Sequence, residues 1–306
     1  MWVGFAIFVL GMLAVDLGIL NRKAHVPTFR SALTWSIVCI SLAGVFNLWI
    51  YYKFGKQPAQ EFLAGYLLEE ALSVDNIFVF LMIFTFFKVP REYQHRLLYW
   101  GVLGALVLRG AMIAGGVALI NKWDWILYVF GAILILTGIK MAFHNSDETD
   151  PRKGWIYRAA RKLLPVAEGD HGQKFFVKIN GRWYVTLMFL VLLIIETTDL
   201  LFALDSIPAV FAVTREPFII YTSNVFAILG LRALYFVLAG VLDLFRYLKY
   251  GLSAILVFVG VKMLLAHTEF KVPINTALGV IVSVLVISVI ASLIATRLEN
   301  KRTPPV

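Results

Sequence analysis

Seven acidic residues lie inside apolar runs of this 306-residue sequence: Asp16, Glu69, Glu70, Asp75, Glu196, Asp199 and Asp205. An ionised carboxylate at the centre of a bilayer helix costs roughly 2.5–3.5 kcal/mol on insertion scales, so such residues mark function or pairing. Six of them fall in two short stretches, "EEALSVDNI" at 69–77 and "ETTDLLFALDSI" at 196–207. At about 100° per residue, positions seven apart share a helical face. Glu69 therefore aligns with Asn76, and Asp199 with Ser206, while Glu196 stands one turn before Asp199. Asp75 and Asp205 lie about 120° off that line on an ideal helix. They would complete the same site only through a bent helix or a cavity between several helices.

Carboxylate, amide and hydroxyl oxygens without Cys or His describe a site for a hard divalent cation such as Mn²⁺, Mg²⁺ or Ca²⁺. Six acids exceed what one ion needs, so some are expected to carry protons or to pair with arginine. Arg109 and Arg232 sit mid-span and are the candidates for charge balance. Lys140 and Lys262 lie nearer span ends and are expected to snorkel to the interface. Pro208 removes an N–H and frees the carbonyl of Leu204. A helix break there would place backbone oxygen beside Asp205.

The elements that must position these groups are apolar helices. The chain is 60% hydrophobic and 15% charged, against about 45–50% and about 25% in soluble domains. Long apolar runs at about 3–20, 33–52, 62–87, 97–120, 124–143, 185–213, 217–241, 249–267 and 273–296 predict nine transmembrane spans in an all-α polytopic membrane protein. Residues 1–20 lack a basic lead-in and a small-residue cleavage pattern, and read as a retained first helix.

With nine spans, one set of loops and the C-terminal tail holds 19 Lys and Arg, the other set five. The positive-inside rule then predicts an outside N-terminus and a cytoplasmic C-terminus. The net charge of +9 reads as topology and contact with anionic lipid, not as a nucleic-acid face. A single cysteine, Cys39, excludes a disulfide framework, and the five histidines lack zinc-like spacing. Without a phosphate-binding G-x-x-x-x-G-K-[ST] motif or a nucleophile–base pair, neither ATP-driven transport nor an enzyme is expected, and no tightly bound cofactor.

The chain repeats itself. "FGAILILTGIKMAFH" (130–144) matches "LSAILVFVGVKMLLAH" (252–267) at an offset of 122. "GVLGALVLRGA" (101–111) matches "NVFAILGLRAL" (224–234), setting Arg109 against Arg232. The acidic helices pair Glu69 with Asp199, Asp75 with Asp205 and Asn76 with Ser206. A three-helix unit repeated once, at 62–143 and 185–267, crosses the membrane in opposite senses, the inverted-repeat plan of many secondary transporters. Two N-terminal spans (1–61), a cytoplasmic linker (144–184) and a last span with its tail (268–306) complete the organisation. Within the linker, 152–164 is a basic amphipathic stretch expected on the membrane surface, and Asp147, Glu148 and Asp150 are a solvated acidic cluster.

The segments "EEALSVDNIFVFLMIF", "YWGVLGALVLRG", "DLLFALDSIPAVFAVT", "PFIIYTSNVFAILGLRALYFVLAG" and "LKYGLSAILVFVGVKML" resemble the TerC family, and its Alx-like bacterial members most closely. That resemblance implies a multi-pass protein of the bacterial inner membrane that exports Mn²⁺, by exchange with protons. It carries the family's acidic motifs over to Glu69, Glu70, Asp75 and Asn76, and to Glu196, Asp199, Asp205 and Ser206. The rival expectations are a membrane scaffold or insertion partner, and tellurite-type resistance without transport. Oligomeric state is not readable from these residues.

Overall fold

The computed structural model describes residues 1–15, 28–143, 155–167, 169, 171–239, 248–266 and 268–302, with backbone alone at 15, 155 and 296–302. Asp16, the Asp147–Glu148–Asp150 cluster and most of the loops at 21–32 and 242–248 lie outside the described residues. The described residues form ten helices: α1 (Trp2–Val15), α2 (Phe29–Phe54), α3 (Lys56–Phe86), α4 (Arg91–Lys122), α5 (Ile126–Phe143), α6 (Trp155–Leu163), α7 (Leu187–Phe211), α8 (Pro217–Leu238), α9 (Leu248–Leu264) and α10 (Ile274–Arg302). Among the described residues, α2, α4, α5, α7, α8 and α10 are long and apolar enough to cross a membrane. At 31 residues α3 has the length, but its acids take it out of that set.

Local chemistry sets the helix ends. Thr28 caps α2 by accepting the Ser31 N–H at 3.3 Å, and Thr186 caps α7 by accepting that of Phe189 at 3.4 Å. One residue, Gly55 at φ 92°, separates α2 from α3, a conformation that favours glycine. The all-α expectation has one departure, an antiparallel hairpin of β1 (Phe176–Ile179) and β2 (Arg182–Val185). Asn180 and Gly181 both take positive φ in its turn. The Asn-Gly pair between alternating residues is a hairpin signal that the surrounding helices overshadow.

Large apolar side chains face outward, and a group of polar and charged ones is enclosed within an otherwise apolar core. Ile37, Val45, Val286 and Ile287 are exposed on α2 and α10, whereas Glu69, Asn76, Arg109, Asp199 and Asn224 are buried. Such a distribution suits lipid as the surrounding solvent. The most enclosed helix is α8, which packs on α2, α3 and α4. Also in contact are α4 with α7, α3 with α7, and most extensively α5 with α9.

The α5–α9 contact is reciprocal. A Cβ on Gly138 would meet the Ser253 carbonyl at 2.9 Å and Val257 at 2.8 Å. One on Gly260 would meet the Gly131 carbonyl at 2.7 Å and Ile135 at 2.8 Å. At an offset of 122, Gly138 corresponds to Gly260, Gly131 to Ser253 and Ile135 to Val257, so each contact is the image of the other. Small residues let the two backbones approach closely, which drives helix association in lipid. Overpacking such a contact costs about 1–3 kcal/mol, and Gly260→Val is expected to lose that much. Gly279→Ala, with open space around it, should change stability by under about 0.5 kcal/mol. Denaturation midpoints in detergent check both.

Candidate cation-binding region

Arg109 of α4 organises the first group of acids. Its Nη1 donates to Glu69 Oε2 of α3 at 2.6 Å. Its Nε and Nη2 grip Asp199 of α7, at 3.2 Å to Oδ2 and 3.0 Å to Oδ1. That is the two-pronged geometry that guanidinium and carboxylate favour. Asn224 of α8 closes the ring, its Nδ2 donating to Glu69 Oε1 at 2.6 Å and its Oδ1 accepting from Arg109 Nη1 at 3.4 Å. Asn76 Nδ2 reaches Asp199 Oδ1 at 3.5 Å. All five side chains belong to buried residues. In this conformation Glu69 and Asp199 direct their oxygens to Arg109 and two amides.

Asp75 and Asp205 belong to a different place. Together with Asn76, Thr137, Ser206 and two lysines, Lys140 and Lys249, they line a cavity of about 460 Å³ between α3, α5, α7 and α9. Thr137 Oγ1 donates to Asp205 Oδ1 at 3.0 Å. Lys249 acts electrostatically on Asp75, and Lys140 on Asp205. The Ser206 hydroxyl is buried and has no hydrogen-bond partner among the described residues. Buried polar groups are nearly always satisfied, so an open hydroxyl in a polar cavity suits a ligand atom.

The remaining predicted residues stand apart. Glu70, beside Tyr66 and Gly230, and Glu196, against Gly104, each leave Oε2 buried without a hydrogen-bond partner among the described residues. A Cβ at position 104 would collide with the Glu196 carboxylate, so glycine there makes room for it. Nowhere among the described residues do three His, Cys, Asp or Glu side chains gather closely enough to hold one ion. Arg232 lies 3.1 Å from His95 Nε2 through its Nη1.

Two expectations need correction. Pro208 does not break its helix: α7 runs through it to Phe211, and the Ala212 N–H closes back on the Pro208 carbonyl at 3.1 Å. The proline falls in the final turn, where one lost N–H interrupts little. Lys262 does not snorkel outward, because its Nζ donates to the Ala212 carbonyl at 2.8 Å. Asn224, Thr137 and Lys249 are site residues that sequence reasoning missed. Asn224 stands in "NVFAILGLRAL", and the Gly101 that aligns with it in "GVLGALVLRGA" carries no polar group to draw attention to it.

The description "Integral membrane protein TerC family" matches residues 54–300. The chain belongs to the TerC family. It is 51% identical over 298 residues to an uncharacterized membrane protein of Myxococcus xanthus, covering 97% of this chain and 93% of that one. It is 48% identical over 299 residues to the Escherichia coli K12 protein named "Putative membrane-bound redox modulator Alx", covering 95% and 93%. A Rickettsia bellii membrane protein is 41% identical over 301 residues, covering 98% and 99%. No solved structure matches the chain.

The Arg109 cluster generates a stability prediction. Removing one partner of a buried ion pair costs about 3–5 kcal/mol, because the other charge is left without compensation. Arg109→Gln is expected to lose that much, and adding Asp199→Asn should recover part of it. Thermal unfolding of the single and double variants in detergent measures this; a double variant no more stable than Arg109→Gln would mean that the carboxylate is not the charge being balanced.

Proposed function

We propose that this TerC-family membrane protein is a secondary transporter that exports a hard divalent cation, with Mn²⁺ favoured and Mg²⁺ or Ca²⁺ compatible, in exchange for protons. The observation that carries this reading is the cavity in which Asp75, Asn76, Asp205 and Ser206 converge, with an open serine hydroxyl among them. Two carboxylates, an amide and hydroxyls suit an ion that keeps part of its water shell. The preference for Mn²⁺ rests on the resemblance to Alx-like members. Lys140 and Lys249 offset the two aspartates when no ion is bound, which lowers the cost of keeping carboxylates within lipid depth. An entering divalent ion would take over that balancing charge.

Glu70 and Glu196, each with an open carboxylate oxygen, are the candidates for proton carriers. The Arg109 cluster serves as the fixed frame, with Glu69 and Asp199 available to the ion only if Arg109 lets go. The reciprocal α5–α9 contact supports reading 62–143 and 185–267 as inverted repeats within a nine-span chain. The loop charges support placing its N-terminus outside and its C-terminus in the cytoplasm, in the bacterial inner membrane. The name of the Escherichia coli relative points to redox. A chain whose one cysteine, Cys39, is buried has no second thiol for an internal thiol–disulfide cycle.

Purified protein in liposomes is expected to move Mn²⁺ in the direction opposite to the proton flow that an imposed pH gradient drives. Asp75→Asn and Asp205→Asn should each lower the rate on the order of 10–100-fold, the usual penalty for disturbing a metal's surroundings. Neither residue belongs to the Arg109 cluster, so both variants should fold. Flux equal to that of empty liposomes, or undiminished in both variants, would overturn the reading in favour of a scaffold.

A further inference from the structure

A second cavity, of about 830 Å³, opens beside the start of α5 and the end of α9, the ends opposite to those that border the aspartate cavity. The two are related by the repeat. Lys140, Met141, Lys249 and Met82 line the aspartate cavity. Their counterparts at offsets of 122 for α5 and α9 and 130 for α3 and α7 are Lys262, Met263, Leu127 and Ala212, and all four line the second cavity. Unrelated cavities have no reason to exchange under the sequence register of an internal repeat.

They differ in how deep they reach. The first extends to Asp75 and Asp205, whereas the second ends against Phe211 and Ala212. Val79 and Thr137 line the first, and their counterparts, Ala209 and Val259, are buried at 0% and 1% exposure. The lysines differ in the same sense. Lys140 shares the aspartate cavity, while Lys262 is latched to the Ala212 carbonyl just past the end of α7. A helix C-terminus carries partial negative charge and is a natural resting place for an ammonium group, and Glu61 of α3 adds its attraction to Lys262 across the same cavity, well away from Asp75 and Asp205.

We propose that the second cavity is the other access vestibule of the cation path, closed in this conformation, and that Lys140 and Lys262 exchange roles when it opens. This rests on the transporter reading of the two repeats. In the opposite state Lys262 leaves the Ala212 carbonyl and faces Asp75, and Lys140 leaves Asp205 for the last turns of α3, where Met82 stands in the place of Ala212. Val259 and Ala209 then line the open path, and Thr137 and Val79 become enclosed. The reciprocal glycine contacts of α5 and α9 allow it, because an interface that maps onto itself is the same in both states, so the two helices can move as one unit.

The test uses the full chain carrying Cys39→Ala, reconstituted in liposomes, with one added cysteine at a time: Val79→Cys, Thr137→Cys, Ala209→Cys or Val259→Cys. A membrane-impermeant maleimide is applied from each side. Val79→Cys and Thr137→Cys should react from the side bearing Lys249, and Ala209→Cys and Val259→Cys from the side bearing Lys271. Lys262→Met and Lys140→Met should shift the ratio of the two rates in opposite senses, on the order of tenfold, about the worth of one charge-assisted hydrogen bond. A general loosening of the fold would move both variants the same way. No labelling at Ala209→Cys and Val259→Cys from the Lys271 side, or a shift of the same sign in both lysine variants, overturns the proposal. Mn²⁺ flux is read separately in the same liposomes. Flux without that labelling refutes the second vestibule and leaves the transporter, while labelling without flux refutes the transporter and leaves the two vestibules.

Discussion

A guanidinium shared between two carboxylates cannot be taken apart cheaply in a low-dielectric interior, and here it joins four helices. Glu69 of α3, Arg109 of α4, Asp199 of α7 and Asn224 of α8 meet in one buried ring. Any slippage of one helix along another would strand a charge, at a cost of several kcal/mol. The cluster therefore sets the register of the helix pairs that border the site. Its geometry also explains why Asn224, a neutral side chain, is needed: it donates to the Glu69 oxygen that Arg109 does not occupy.

Around this frame the charges are divided between two helix pairs. The acids that line the aspartate cavity sit on α3 and α7, and the lysines that face them on α5 and α9. Neither α5 nor α9 carries an acidic residue, so no ion pair joins one to the other. Backbones at Gly131, Gly138 and Gly260 meet instead, with Ser253 donating to the Gly138 carbonyl at 2.6 Å. Packing of this kind is tight without charge, and the polar ties run instead from this pair to the α7 side, at Thr137–Asp205 and Lys262–Ala212. Glycine also makes the space for Glu196 at position 104.

Much of the site was legible as residue type, less as grouping. That six of the acids belong to two helices follows from their sequence spacing. So does the alignment of Glu69 with Asn76, which both serve the Arg109 cluster in space. Asp75 and Asp205 could not be placed by helical geometry alone, because their 120° offset turns them to a cavity made by α5 and α9 as much as by their own helices. Pro208 misled because a proline's effect depends on how far the helix continues, and α7 has only three residues left beyond it. Lys262 misled because proximity to a helix end says nothing about whether a carbonyl waits inside the protein.

By itself the sequence determined the membrane class, the family motifs and the spacing of the acids along two apolar stretches. Those depend on composition and on spacing along the chain, which hydrocarbon depth and helix pitch constrain directly. Only the tertiary structure decided which acids are held by arginine and which line a cavity, and which lysine faces an aspartate and which a carbonyl. Those choices turn on which neighbouring helix each face meets, and in an interior of low dielectric the neighbour determines whether a charge is neutralised, left open or latched away.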